Sequence, residues 1–165
     1  MDQYEVLLAD PPWQYVQKGV SGAAENHYST LSFKEIRNYT LPKMSVDSAA
    51  FLWVPNAFLK EGLEVLDAWG YKYKTIITWV KPYLGLGFYL RNATEQLLFG
   101  TRGQVTRKVK EKNVLNWFIA ERREHSRKPE HQYWIVERLF DGPYVELFSR
   151  HRRLGWDSFG DELDA

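Results

Sequence analysis

Residues 4–13 read Tyr4-Glu5-Val6-Leu7-Leu8-Ala9-Asp10-Pro11-Pro12-Trp13, an apolar run that stops at a pair of prolines. A proline pushes the residue before it out of helical space, and its ring nitrogen cannot donate to a sheet ladder. The run therefore predicts a buried strand ending at Asp10. In an open α/β sheet, ligands bind at the carboxyl ends of the strands. A carboxylate, two prolines with their carbonyls and an indole thus meet where chemistry is expected. A strand running into a turn with a solvated Asp is the plain alternative, because Asp is common in turns.

Working outward, residues 14–26 contain Gly19, Ser21, Gly22 and two alanines with no apolar period. They read as a loop over the Asp10 end, with Lys18 in reach of a phosphate and His27-Tyr28 closing it. Ser32 with Glu35 three residues on predicts a capping box for a short helix over 33–39. A buried strand over 49–55, a helix over 57–69 capped by Asn56 and stopped by Gly70, and a strand over 71–80 ended by Lys81-Pro82 follow. That alternation predicts a parallel sheet with crossover helices. The glycines of 83–104 match no phosphate-loop or dinucleotide spacing, so they are assigned to turns leading into an antiparallel strand at the sheet edge. A short strand over 116–121, a helix opened by Pro129 and running to about 140, a strand over 144–148 and a last one within 155–160 complete an α/β pattern.

The net charge of +1 means that any nucleic-acid binding rests on a local patch rather than a global field. The densest basic stretch holds Arg102, Arg107, Lys108, Lys110 and Lys112 with Glu111 its sole acid. On a protruding hairpin it tracks phosphates; otherwise it is a solvated loop. The absence of cysteine excludes disulfides, thiolate zinc sites and a cysteine nucleophile for methylation at carbon 5 of cytosine, and no metal is expected. With no basic-then-apolar leader and no run of 18 apolar residues, a soluble, cytoplasmic protein without membrane contact is expected.

Asp10-Pro11-Pro12-Trp13 after an apolar strand resembles the Asp/Asn/Ser-Pro-Pro-aromatic motif of the amino methyltransferases. Its Asp and Trp resemble the family of the messenger-RNA adenine methylase catalytic subunit, which also has bacterial and phage members. Trp79-Val80-Lys81, the stretch 125–129, Glu146-Leu147-Phe148-Ser149-Arg150 and Gly160-Asp161-Glu162-Leu163 follow in the family's order, so the resemblance covers nearly the whole chain. It implies one S-adenosylmethionine-dependent adenine-N6 methyltransferase domain over 1–165. The fold expected is Rossmann-like α/β, with a mixed, mostly parallel seven-stranded sheet and helices on both faces. Its order is circularly permuted, the catalytic motif preceding the donor-binding one.

The same resemblance implies site roles. Asp10, Pro11, Pro12 and Trp13 are expected to be catalytic, with Trp13 offering a stacking face to the target base. Asp10, Lys128, Glu146, Phe148, Ser149, Arg150, His151, Asp161 and Glu162 are expected to hold the donor. Lys128 is assigned to the donor carboxylate and Asp161 with Glu162 to its ribose, Asp161 standing where the family usually has Asn. Tyr28, Lys18, Lys81, Arg107, Lys108 and Lys110 are the expected nucleic-acid contacts. Glu95 resembles a Glu of the family and is expected to orient neighbouring amides. DNA is the expected substrate, since so compact a chain is more like the bacterial and phage branch. RNA, the exocyclic amine of cytosine and a non-catalytic nucleic-acid-binding subunit are the alternatives, and a homodimer or a partner subunit is allowed.

Overall fold

A computed structural model describes residues 3–15, 29–124 and 127–163. The apolar run enters the middle of a sheet as β1 (Tyr4–Ala9). The elements that follow are α1 (Phe33–Arg37), β2 (Met44–Val54), α2 (Leu59–Ala68), β3 (Lys72–Gly85), β4 (Asn92–Arg102), β5 (Trp117–Ile119), α3 (His131–Leu139), β6 (Tyr144–Leu147) and β7 (Trp156–Phe159). The sheet has seven strands in the order β5-β3-β4-β2-β1-β6-β7. β4 runs antiparallel to both its neighbours, and every other pairing is parallel. This is the Rossmann-like, mostly parallel arrangement expected from the sequence, entered at its centre.

Strand alternation splits the core between two faces. Leu7 and Ala9 of β1 and Ala50, Leu52 and Val54 of β2 join Ile36 of α1 and Val65 and Leu66 of α2 on one side. Val6, Leu8, Ala49, Phe51 and Trp53 meet Tyr133, Ile135 and Val136 of α3 on the other. Gly62 sets how closely α2 approaches, because a Cβ there would meet Val54 and Leu98 side-chain carbons at 3.0 Å. Strands on the β2 side of β1 are reached by way of α1 and α2, and β6 by way of α3. The boundary between β1 and β6 is therefore a topological switch point, and Asp10 stands at its carboxyl end.

Three expectations are corrected. β4 lies inside the sheet, between β3 and β2, rather than at the edge; its apolar Leu97 and Leu98 are fully buried, one on each face. β3 does not stop at Lys81-Pro82 but continues to Gly85. Pro82 is tolerated because it falls in the gap where the β3–β4 register shifts, between Val80 and Gly85. Asn56 does not cap a helix. It sits in a 3-10 turn whose cap makes no side-chain hydrogen bond. Its amide donates to Asn92 Oδ1 at 2.7 Å and Thr94 Oγ1 at 2.9 Å and accepts from Gln96 Nε2 at 2.9 Å, which ties the end of β2 to β4. The capping box of α1 is present as expected, with Glu35 N–H donating to Ser32 Oγ and Ser32 N–H to the Glu35 carboxylate. Among the described residues, no helix is long and apolar enough to cross a membrane.

Candidate active site

Past the end of β1, the two prolines hold the backbone in a tight, fixed path. Trp13 N–H donates to the Pro11 carbonyl at 2.9 Å and Leu31 N–H to the Pro12 carbonyl at 2.9 Å. A carbonyl has two lone pairs, so Pro11 keeps acceptor capacity. Asp10 is held in a charged ladder. Lys128 Nζ lies 3.0 Å from Asp10 Oδ2 and 3.1 Å from Glu95 Oε1, and Lys81 Nζ lies 3.0 Å from Glu95 Oε2. The Asp10 side chain keeps 32% of its surface open, whereas Lys128 keeps 9%. Lys128 also stands over the Trp53 ring, and Lys81 over that of Trp79.

The ladder is consistent electrostatically. Burial raises the Asp10 pKa above the usual carboxyl value, and the Lys128 ammonium opposes that rise. Burial works against the charge on Lys128, yet the Asp10 and Glu95 carboxylates outweigh it and hold its pKa above the ordinary lysine value. Burial likewise acts to raise Glu95, but Lys128 and Lys81 win and its pKa is lowered. Each buried charge thus has an opposite charge within hydrogen-bonding distance, the condition under which burying it is tolerable.

A cleft opens from Asp10 toward the end of β6, lined by Arg127, Lys128, Gln132, Tyr133, Glu146, Phe148, Ser149, Arg150 and His151. Glu146 is buried at the strand end, and both its oxygens accept from the Tyr133 hydroxyl, at 2.9 and 3.1 Å. Burial lifts its pKa to about 7; the Tyr133 hydrogen bond opposes this and the Asp10 charge adds to it. Phe148 turns the chain out of β6 with φ of 61°, a left-handed conformation unusual for a non-glycine residue. Ser149 Oγ donates to the His151 carbonyl at 2.7 Å. Gly160 follows β7 and presses against this turn, since a Cβ on it would strike the Ser149 carbonyl. Arg150 Nε pairs with Glu162 Oε2 at 3.2 Å, which links the turn after β6 to the stretch after β7, where exposed Asp161 also lies.

The structure therefore brings together Asp10, Pro11, Pro12, Lys128, Glu146, Phe148, Ser149, Arg150, His151, Glu162 and Lys81. Tyr28 and Lys18 lie outside the described residues. Trp13 is a correction. Its side chain is buried, 8% exposed, with the indole N–H donating to the Trp53 carbonyl at 2.9 Å and the ring stacked on Phe58. It is a core residue supporting the motif, not an open stacking face. Tyr15 is half exposed and packs on the same Phe58.

Arg107, Lys108 and Lys110 are a second correction. β4 ends with Arg102 opposite Ser48, at the amino end of β2, so the basic stretch after it lies at the far end of the sheet. Six residues of β1 separate the two ends, about 20 Å at the rise of a strand. Lys108 pairs there with Glu5 at 2.9 Å, and Lys110 with Asp141 at 2.9 Å.

Glu95, Gln132 and Tyr133 are the site residues the sequence reading missed or misassigned. Glu95 orients two ammonium groups rather than amides. Gln132 Oε1 accepts from the Trp53 indole at 2.8 Å. No cluster of acidic or histidine side chains suited to a metal ion occurs among the described residues. Chemically, the cleft presents acceptors of both kinds, carboxylate and backbone carbonyl, beside a pocket carrying both signs of charge and an aromatic ring. That set fits a ligand with an amino-acid end, ribose hydroxyls and a heterocycle.

Residues 4–162 match the family profile described as MT-A70. The chain is 33% identical over 178 residues to the putative N(6)-adenosine-methyltransferase MT-A70-like of Medicago truncatula, with 100% of this chain and 27% of that protein covered. It is 30% identical over 176 residues to the human N(6)-adenosine-methyltransferase catalytic subunit METTL3, covering 100% of this chain and 29% of that one. To the type II methyltransferase M.MunI of Mycoplasma sp it is 27% identical over 182 residues, covering 98% and 78%. The chain spans about a quarter of the length of the plant relatives it matches.

Proposed function

The chain belongs to the MT-A70 family of adenine-N6 methyltransferases, which use S-adenosylmethionine, and from that premise we propose that it methylates the 6-amino group of adenine in DNA. The observation that carries the reading is the placement of Asp10 on a fixed turn that opens into the same cleft as Glu146 and the turn after β6.

The amine of adenine shares its lone pair with the ring and is a weak nucleophile. Two acceptors at its hydrogens localise that pair and stabilise the positive charge that grows on nitrogen in the transition state. The Asp10 carboxylate and the Pro11 carbonyl are acceptors of that kind, fixed by the proline turn. Lys128, anchored by Glu95, keeps the Asp10 carboxylate oriented. On the donor side, Glu146 would take hydrogen bonds from its amine or hydroxyl groups, Arg150 and Lys128 would hold its carboxylate, Phe148 borders the cleft, and Asp161 and Glu162 would accept from its ribose. When bound, S-adenosylmethionine supplies an activated sulfonium methyl group, so neither a metal nor a covalent enzyme intermediate is required. What the protein adds is placement, worth several orders of magnitude when reacting atoms are held near attack distance.

DNA is favoured by the likeness to the type II methyltransferase. RNA is the second reading, favoured by the likeness to the N(6)-adenosine-methyltransferases. Incubation with donor labelled in its methyl group and single- and double-stranded DNA and RNA, followed by digestion to nucleosides, separates them. Label in N6-methyldeoxyadenosine is expected. Label confined to N6-methyladenosine selects RNA, and label on cytosine or on neither base overturns the proposal.

A further inference from the structure

The β3–β4 hairpin rises from the wall of the active site, since Lys81 and Glu95 of the charged ladder sit at its base. Its tip, residues 86–91, projects past the carboxyl ends of the strands. The tip and its approach expose Tyr83, Leu84, Leu86, Phe88, Tyr89 and Leu90. Tyr89 is fully open to solvent and has φ of 61°, which holds the ring outward at a cost in backbone strain. Such a surface has a purpose, because isolated apolar tips are otherwise a solubility liability.

Charge selects the occupant. From residue 68 to residue 94 the sequence contains no Asp or Glu. Arg91 ends the tip. Arg122 reaches the hairpin's base, where its Nη2 lies 3.1 Å from the position a Cβ on Gly85 would take. Both arginines are exposed, and neither enters an ion pair among the described residues. By contrast Arg123 and Arg127 are held by Glu130, and the basic stretch at 107–110 faces away. Rings and apolar wedges on a tip without acids, flanked by unpaired guanidinium groups, complement a strand of bases and phosphates.

We infer that the β3–β4 hairpin is a nucleic-acid wedge. Phe88, Tyr89 and the neighbouring leucines stack on bases beside the target adenine and fill the space it leaves on moving into the site. Arg91 and Arg122 take the adjoining phosphates. The inference rests on the proposed adenine methylation and adds the element that engages the polymer.

Phe88→Ala/Tyr89→Ala and Arg91→Ala/Arg122→Ala test it, all four positions being exposed and outside the core. Fluorescence anisotropy with labelled adenine-containing oligonucleotides over a salt series reads affinity, calorimetry reads donor binding, and sedimentation velocity reads self-association. The aromatic pair is expected to lose about tenfold or more in oligonucleotide affinity, with donor affinity unchanged. The arginine pair is expected to lower the salt slope by about two. Variants that bind and methylate the polymer as the wild type does overturn the wedge alone. So does a wild type that self-associates through this tip, with variants that are monomeric but unaltered in oligonucleotide affinity. A wild type that binds donor yet transfers no methyl group to any polymer overturns the proposed function and the wedge with it.

Discussion

The two ends of the sheet carry charge in opposite ways. At the amino end, Lys108 and Lys110 belong to the densest basic stretch in the chain, yet each is at least a third open to solvent and already paired with an acid. At the carboxyl end, Lys128 is buried between Asp10 and Glu95 and opens into a cleft, and partly buried Lys81 pairs with Glu95 behind it. Surface pairs of the first kind add little to stability, whereas removing one member of a buried set leaves a desolvated charge behind. Topology, not the local density of charge along the chain, decides which cations bear on chemistry.

The difference is broken most severely at Asp10. Asp10→Ala is expected to cut methyl transfer by at least 10²–10³-fold, roughly the cost of removing one fixed stabilising group. Circular dichroism is expected to be unchanged, because Lys128 keeps Glu95 as its partner. A fall of less than tenfold would mean that the Pro11 carbonyl suffices.

Removing Glu95 strands Lys81 and leaves Lys128 with Asp10 alone, so Glu95→Ala is expected to cost about 3–5 kcal/mol in urea unfolding as well as activity. Retained stability would show that water replaces the carboxylate. Trp13→Ala, read as loss of a core side chain, is expected to cost about 3–5 kcal/mol by the same measurement. A variant of native stability with a raised KM for the polymer would instead restore the stacking role.

Glu146 sharpens the comparison through pH. Its carboxyl is lifted to about 7 from an ordinary value of 4.5, so the folded protein holds this proton more tightly than the unfolded chain does. The contribution to stability is therefore full below about 4.5 and is lost as pH rises toward 7. Donor binding has the opposite sense, since the ionised carboxylate is the acceptor. Raising pH from 6 to 8 takes the ionised fraction up about tenfold, and calorimetric donor affinity is expected to follow. The difference between wild type and Glu146→Gln isolates this group from the donor's own titration; identical profiles would remove Glu146 from the donor site.

Smallest is the expected effect at the amino end, where Lys108→Ala/Lys110→Ala leaves Tm and oligonucleotide affinity at wild-type values. A marked loss of affinity there would mean that the polymer wraps the whole sheet.

Much of this was legible in the sequence because it is written locally. An apolar run halted by two prolines fixes a strand end, and Ser32 with Glu35 writes its own cap. Glu146 was legible as a donor-site residue through the resemblance, since Val145, Glu146 and Leu147 are all buried and alternation alone does not single it out. What stayed hidden depends on which strands are neighbours. Once β4 is placed between β3 and β2, its antiparallel register sets Glu95 opposite Trp79 and carries Arg102 to the amino end. Placed at the edge, as its glycine-rich approach suggests, it leaves Glu95 without partners and the basic stretch without a direction. Trp13 failed for a related reason. An aromatic after a proline turn reads as exposed, and only the packing of Phe58 and the carbonyl of Trp53 show it to be enclosed.

The central claim is that methyl transfer is carried by the acid at the end of β1. Single-turnover transfer of labelled methyl to an adenine-containing polymer, compared between Asp10→Ala and Lys108→Ala/Lys110→Ala, tests it most directly. The account predicts near-complete loss of labelled N6-methyladenine in the first variant and a wild-type rate in the second. Equal rates in the two, or loss only in the second, would contradict it.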